Sequence, residues 1–212
     1  MILIGMFDSP FVRRVAVSMQ LLGIGFEHRN WSVGKDFDRI RQYNPLGQVP
    51  TLALDDGEVL VESAAILDYL DEVVGPDRAL VPRSGAMRRT ALQLMALAMG
   101  SAEKGRSLIY EGVFRPEDKR HEPWVDRCRT QMYSTLTELE RRCQARSTEG
   151  WLFGSRVMQP DITLACAFTF LKESVLESNT AAYPTLCNRT EQAEALTEFK
   201  STYESWGPPR SP

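Results

Sequence analysis

The strongest constraint in this chain is a change of rhythm near residue 75. Before it, short apolar strand patterns alternate with helical ones; after Met87 the strand signals vanish and only helical patterns remain. Met1–Gly5 reads as a first strand. Asp8-Ser9-Pro10 opens a helix, since Asp or Ser can cap and Pro suits the first turn. Val12, Val15, Ala16, Met19 and Leu22 then recur at helical spacing until Gly23 and Gly25 end the pattern. Phe26–Trp31 reads as a second strand and Asp36–Tyr43 as a short polar helix. Asn44-Pro45-Leu46-Gly47-Gln48-Val49-Pro50 is loop chemistry. Thr51–Leu54 and Val59–Val61 flank Asp55-Asp56-Gly57, a hairpin signal. Glu62–Val74 closes this part as a helix.

Gly75, Pro76, Pro82 and Gly85 mark a linker. Beyond it, Met87–Tyr110 and Trp124–Arg146 are long helical patterns. Asp161 opens the apolar run Ile162–Phe168, expected to be a central buried helix. Tyr183–Tyr203 holds further helix, and the tail Gly207–Pro212 is expected to be disordered or draped on the surface. The reading is therefore an α/β domain over residues 1–76, and an all-α domain over residues 86–206.

Composition narrows the function. Lys and Arg total 25 against 28 Asp and Glu, and no long basic run appears, so the footprint of a nucleic-acid binder is missing. The N-terminus lacks the layout of a secretory signal, and the longest apolar stretch, Ile162–Leu171, is too short to span a bilayer. Cys128, Cys143, Cys166 and Cys187 form no Cys-x-x-Cys pair, and His28 and His121 are far apart, so no metal motif is present. A cytoplasmic location, with no membrane and no nucleic acid, is expected.

Three short segments carry chemistry. Ser9 sits where a helix N-terminus presents unpaired N–H groups and positive potential, a place that stabilises an anion such as a thiolate. Ser9 as a plain helix cap is the competing reading. Val49-Pro50 precedes a strand after a Pro/Gly loop, where a cis peptide would expose backbone groups to an extended ligand; spacing alone does not justify that assignment. Glu62-Ser63 opens a helix after a strand. Its hydroxyl and carboxylate can grip the paired charges of an amino-acid head group, or can merely cap the helix. His28 reads as an edge residue, His121 as part of a solvated turn, and Met95, Met99 and Ala102 as core.

In their order, Ser9-Pro10-Phe11-Val12-Arg13-Arg14-Val15, the loop 44–50 and Glu62-Ser63-Ala64-Ala65-Ile66 resemble the cytosolic glutathione S-transferase family, with a bacterial-like, serine-type motif. The resemblance covers nearly the whole chain. It implies a thioredoxin-like N-terminal domain, with a mixed four-stranded sheet and helices, and an all-α C-terminal domain. It implies glutathione as co-substrate and Ser9 acting on its thiol. Val49 would pair with the cysteinyl backbone at a cis Pro50, Gln48 would contact glutathione, and Glu62 and Ser63 would hold the γ-glutamyl end. Phe11, Tyr110 and Phe114 become pocket residues for the electrophile. Gly154, Pro160, Asp161 and Ile162 match the segment leading into the central helix; Met158 stands where a small hydroxyl residue is usual, so that capping box is expected to be incomplete. A detoxifying transferase, a homodimer and no resident metal follow from the same resemblance. Two alternatives share it: a non-catalytic interaction protein of the stringent-starvation type, and a glutathione-dependent isomerase or dehalogenase.

Overall fold

The computed structural model describes residues 1–146, 150–176 and 179–207. Its first part holds β1 (Ile2–Ile4), α1 (Pro10–Leu21), β2 (Glu27–Arg29), α2 (Phe37–Arg41), β3 (Thr51–Ala53), β4 (Val59–Val61) and α3 (Ser63–Val74). The four strands make one mixed sheet in the order β2-β1-β3-β4. β1 runs parallel to β2, with Leu3 opposite His28, and antiparallel to β3, with Leu3 opposite Leu52. A parallel pair needs a crossover, and α1 supplies it. The second part is helical: α4 (Gly85–Val113), α5 (Glu122–Gln144), α6 (Gln159–Ser174), α7 (Pro184–Glu194) and α8 (Thr197–Ser201). A 3-10 turn, Glu117–Lys119, separates α4 from α5.

The two parts share a core. Leu3, Val12, Val15, Met19, Leu52 and Ile66 are packed with Ile162, Ala165 and Cys166 of α6 and with Phe199 of α8. A second cluster fills the helical part, with Leu94, Met132, Leu136 and Leu139 around Phe168 and Leu171 of α6. Helix α6 is thus apolar on most of its circumference because it faces both clusters, as the run Ile162–Phe168 led one to expect. Met95 and Ala102 are buried, and Met99 is packed against the helical cluster.

Polar contacts weld the same seam. The Arg13 guanidinium, almost fully buried, forks onto Glu194 at 2.7 and 2.5 Å and donates to the carbonyls of Thr202 and Phe199. The Ser18 hydroxyl donates to Gln159 Oε1 at 2.9 Å. The linker is held as well: Asp71 accepts the N–H groups of Leu80 and Val81, and Gln159 donates its N–H to the Leu80 carbonyl.

Asp161 does cap its helix, but from the third position rather than the first. Its carboxylate takes the N–H of Met158 at 3.0 Å and that of Leu152 at 2.9 Å, so the acidic half of the box is made. The Met158 side chain faces the Asp161 N–H, so the expectation of an incomplete box is corrected, and its thioether also accepts from Arg156 Nε. The stretch expected as helix over Tyr183–Tyr203 is two helices, with Leu196 extended between them. The tail expected at Gly207–Pro212 falls, beyond Gly207, outside the described residues.

Candidate functional site

A cavity of about 850 Å³ opens between the start of α1 and the loop before β3 on one side, and α4, α6 and the C-terminal segment on the other. That volume lies in the upper range for small-molecule sites. Ser9, Gln48 and Val49 line its sheet side; Phe11, Tyr110 and Phe114 line its helical side. All six are among the site candidates named from the sequence. Pro50, Glu62 and Ser63 do not line it, although they belong to the same sheet end.

Ser9 occupies the N-cap position of α1. Its carbonyl accepts the N–H groups of Val12 and Arg13, yet its hydroxyl makes no capping bond. The plain-cap reading of the side chain is therefore corrected: the Ser9 hydroxyl takes no N–H from the first turn, and Ser9 lines the cavity instead. Pro10 brings no N–H, so the first free helical donor is that of Phe11.

The loop below Ser9 is shaped by close approach. Gly5 has φ +132°, and a Cβ there would lie 2.5 Å from Val12 and 2.8 Å from Val49, so only glycine lets Val49 pack over the end of β1. Gly47, at φ +62°, has its missing Cβ direction filled by the Phe37 ring. The Val49–Pro50 peptide is cis. Asn44 holds the loop from inside, donating Nδ2–H to the Gln48 carbonyl and accepting the Leu46 N–H.

Beside it, Glu62 has φ 70°, a left-handed conformation uncommon for a residue with a side chain. Its carboxylate accepts the Ala64 N–H at 3.0 Å and the Ser63 hydroxyl at 3.0 Å. Ser63 is fully buried and also accepts Arg14 Nη2 at 2.6 Å. Arg14 is buried too, and burial pushes its pKa down to about 10 against the pull of Glu62. Glu62 thus caps α3, and it keeps an exposed carboxylate at that helix's N-terminus.

Asp8 lines the cavity next to Ser9. Burial, followed by the nearby Glu204, raises its pKa to about 6, while the N–H groups of Gly207 and Ser9 pull the other way. Burial likewise raises the Tyr110 phenol. His28 sits on the edge strand, as expected, but is engaged: its ring stacks on Phe7 at 3.8 Å and its Nε2 bonds the Gly5 carbonyl. His121 is exposed at the start of α5, its N–H bound by Glu111.

Among the lining residues that sequence reasoning did not name are Trp31, Lys35, Arg106 and Trp206. Trp31 and Lys35 lie in an aperiodic segment after β2, and Trp206 lies beyond the last helix, so no pattern marks them. Arg106 had a signal, because it precedes Tyr110 and Phe114 by one and two helical repeats of four. Among the described residues, no cluster of His, Cys, Asp or Glu is arranged to hold a metal, and no helix is long and apolar enough to cross a membrane.

The sheet, the crossover helix and a cavity walled by a helical partner define a thioredoxin-like domain joined to an all-α domain. Residues 3–77 match the family model for the glutathione S-transferase N-terminal domain, and residues 122–198 match that for its C-terminal domain. The chain belongs to the glutathione S-transferase family. It is 30% identical over 169 residues to a GST-like protein, YibF, of Escherichia coli K12, covering 80% of this chain and 81% of that one. It is 26% identical over 166 residues to a maleylacetoacetate isomerase of Pseudomonas aeruginosa, covering 74% and 75%. Among solved structures, a glutathione S-transferase of Methylobacterium radiotolerans in complex with glutathione sulfonate superposes with TM-score 0.88 at 25% identity, covering 97% of this chain and 95% of that one. A family member from Pseudomonas fluorescens with bound glutathione gives TM-score 0.79 at 28% identity, covering 100% and 98%.

Proposed function

We propose that the protein is a glutathione transferase in which the glutathione thiolate attacks an electrophilic small molecule held in the 850 Å³ cavity. The observation that carries this reading is the Ser9 hydroxyl, uncommitted to its helix and placed on the cavity wall at the N-terminus of α1. Glutathione lies along the sheet side. Its cysteinyl backbone pairs with Val49, Gln48 contacts it, and its γ-glutamyl end reaches the start of α3. There Glu62 offers a carboxylate to the ammonium group. Ser63 has its hydroxyl bound to Glu62 and Arg14, so its backbone N–H serves the ligand carboxylate at the helix N-terminus. Homologues with bound glutathione and the family assignment support this placement.

A free thiol near pKa 8.5 is only a few per cent ionised at neutral pH. Lowering that pKa by about two units needs roughly 2.7 kcal/mol in favour of the anion. One hydroxyl donor, the Phe11 N–H and the dipole of α1 are of that order together. The thiolate then forms its S–C bond while the electrophile takes up the electron pair, on a leaving group or an adjacent carbonyl. The similarity to a maleylacetoacetate isomerase favours a second reading, in which the sulfur adds and later leaves and the product is an isomer.

The test is glutathione calorimetry joined to turnover of several electrophile classes as a function of pH. Wild type should bind glutathione and show a thiolate absorbance titrating about two units below the free thiol. Ser9→Ala should raise that midpoint and slow turnover at neutral pH, with glutathione affinity much less changed. Identical titration in the two proteins would remove Ser9 from the chemistry. Net isomerisation without consumption of glutathione would select the second reading.

A further inference from the structure

The helical side of the cavity has a charge as well as rings. Arg106 projects from α4 with its guanidinium 5.6 Å from the Phe11 ring centre and 5.5 Å from that of Tyr110. Among the described residues, its only hydrogen bond goes from Nη2 to Glu103, three residues back on a half-exposed stretch of the helix. An exposed pair of this kind contributes little and leaves most of the planar fork free. Lys35, the cavity's other basic side chain, lines it together with the α2 and loop residues rather than with α4.

The positive character continues outward. Past Tyr110 and Phe114 the cavity runs into a shallower groove of about 520 Å³, walled by Arg115, Lys119 and Trp124 as well as Arg106. Lys104 stands over the Trp124 ring at 5.5 Å. The acidic group on this groove, Glu111, is buried and already taken by Arg115 and the His121 N–H. Inside the cavity the acidic group is Asp8, beside Ser9 and away from α4 in the chain. Arg106, on the α4 wall, is placed to receive the anionic end of a ligand.

We propose that the electrophile of this protein is an aromatic or similarly planar carboxylate, its ring against Phe11 and Tyr110 and its anionic group on the Arg106 fork. A planar guanidinium over ring faces suits both parts of such a molecule. The inference rests on the glutathione-dependent reading above and adds the chemical class of its second substrate.

Conjugates that carry both halves make the test independent of turnover. S-benzylglutathione, its 3- and 4-carboxybenzyl analogues and glutathione itself are titrated into wild type, Arg106→Gln and Arg106→Lys by calorimetry. One carboxybenzyl isomer should bind wild type at least about tenfold tighter than S-benzylglutathione. That preference should fall to near unity in Arg106→Gln and be partly kept in Arg106→Lys, with glutathione affinity alike in all three. It should also shrink as ionic strength rises, which wild type alone can report should a variant fail to fold. A wild-type preference absent, insensitive to salt, or retained in Arg106→Gln overturns the proposal while leaving glutathione binding intact. Failure of glutathione itself to bind overturns the reading beneath it as well.

Discussion

At the scale of single residues, Asp8 shows how the site's needs oppose the fold's. An acid whose pKa stands at about 6, against 3.8 in its ordinary state, holds its proton more tightly folded than unfolded. Between about pH 4 and pH 6 the native state keeps a proton that the unfolded chain has lost. Stability therefore falls as pH rises through that window and stays lowered above it. Asp8→Asn should be more stable than wild type at pH 7 by about 1–2 kcal/mol, after discounting for screening at this part-exposed position. The gain should vanish near pH 4. Urea unfolding of both proteins at the two pH values measures it, and a gain larger at pH 4 than at pH 7 would contradict the assignment. Arg14 is the counterpart on the other side of α1: its buried charge is tolerated because Ser63 and Glu62 lead it back toward the surface.

At the scale of elements, α1 matters most, since it carries Ser9 at one end and Arg13 in its middle. Glu194 of α7 holds both Arg13 Nη atoms and also accepts the Thr169 hydroxyl of α6 at 2.6 Å. The rings of Phe199 and Tyr203 lie 5.7 and 5.3 Å from the same guanidinium. Glu194→Ala strands a buried cation, and because Glu194 itself is a quarter exposed the loss should sit near about 3 kcal/mol, the low end for broken buried pairs. Adding Arg13→Met should recover part of it in chemical denaturation; a double mutant losing the sum of both single effects would show the two side chains to be energetically independent. The elements themselves were largely legible in the sequence. Helical spacing in α1 and the Asp56-Gly57 hairpin turn each correspond to one observed feature. Ends were less so. The strand read at Phe26–Trp31 pairs only over Glu27–Arg29, because β1 offers just Ile2–Ile4 as partner. The break at Leu196 carries no Gly or Pro, so nothing local announces it. In the site, ordered motifs revealed Ser9, Gln48 and Val49, whereas Lys35 and Trp206 are brought in by tertiary packing of aperiodic chain.

At the scale of the whole molecule, the resemblance-based expectation of a homodimer stands as a proposal: light scattering at micromolar concentration should give twice the chain mass of 24.0 kDa, and a monomer mass would refute it. The two halves share a core, in which Ile162, Cys166 and Phe199 complete the packing around Val12, Val15 and Met19. That seam has a consequence in time. Arg13 is made well before its carboxylate partner, which follows 181 residues later. Until Glu194 is made, burying the Arg13 cation on the crossover helix would leave it without this partner. Final docking of α1 must therefore wait for α7 and α8, and the Asp8 wall of the cavity waits for Gly207. A chain ending before Glu194 lacks both the carboxylate that neutralises Arg13 and the Trp206–Gly207 segment that closes the cavity.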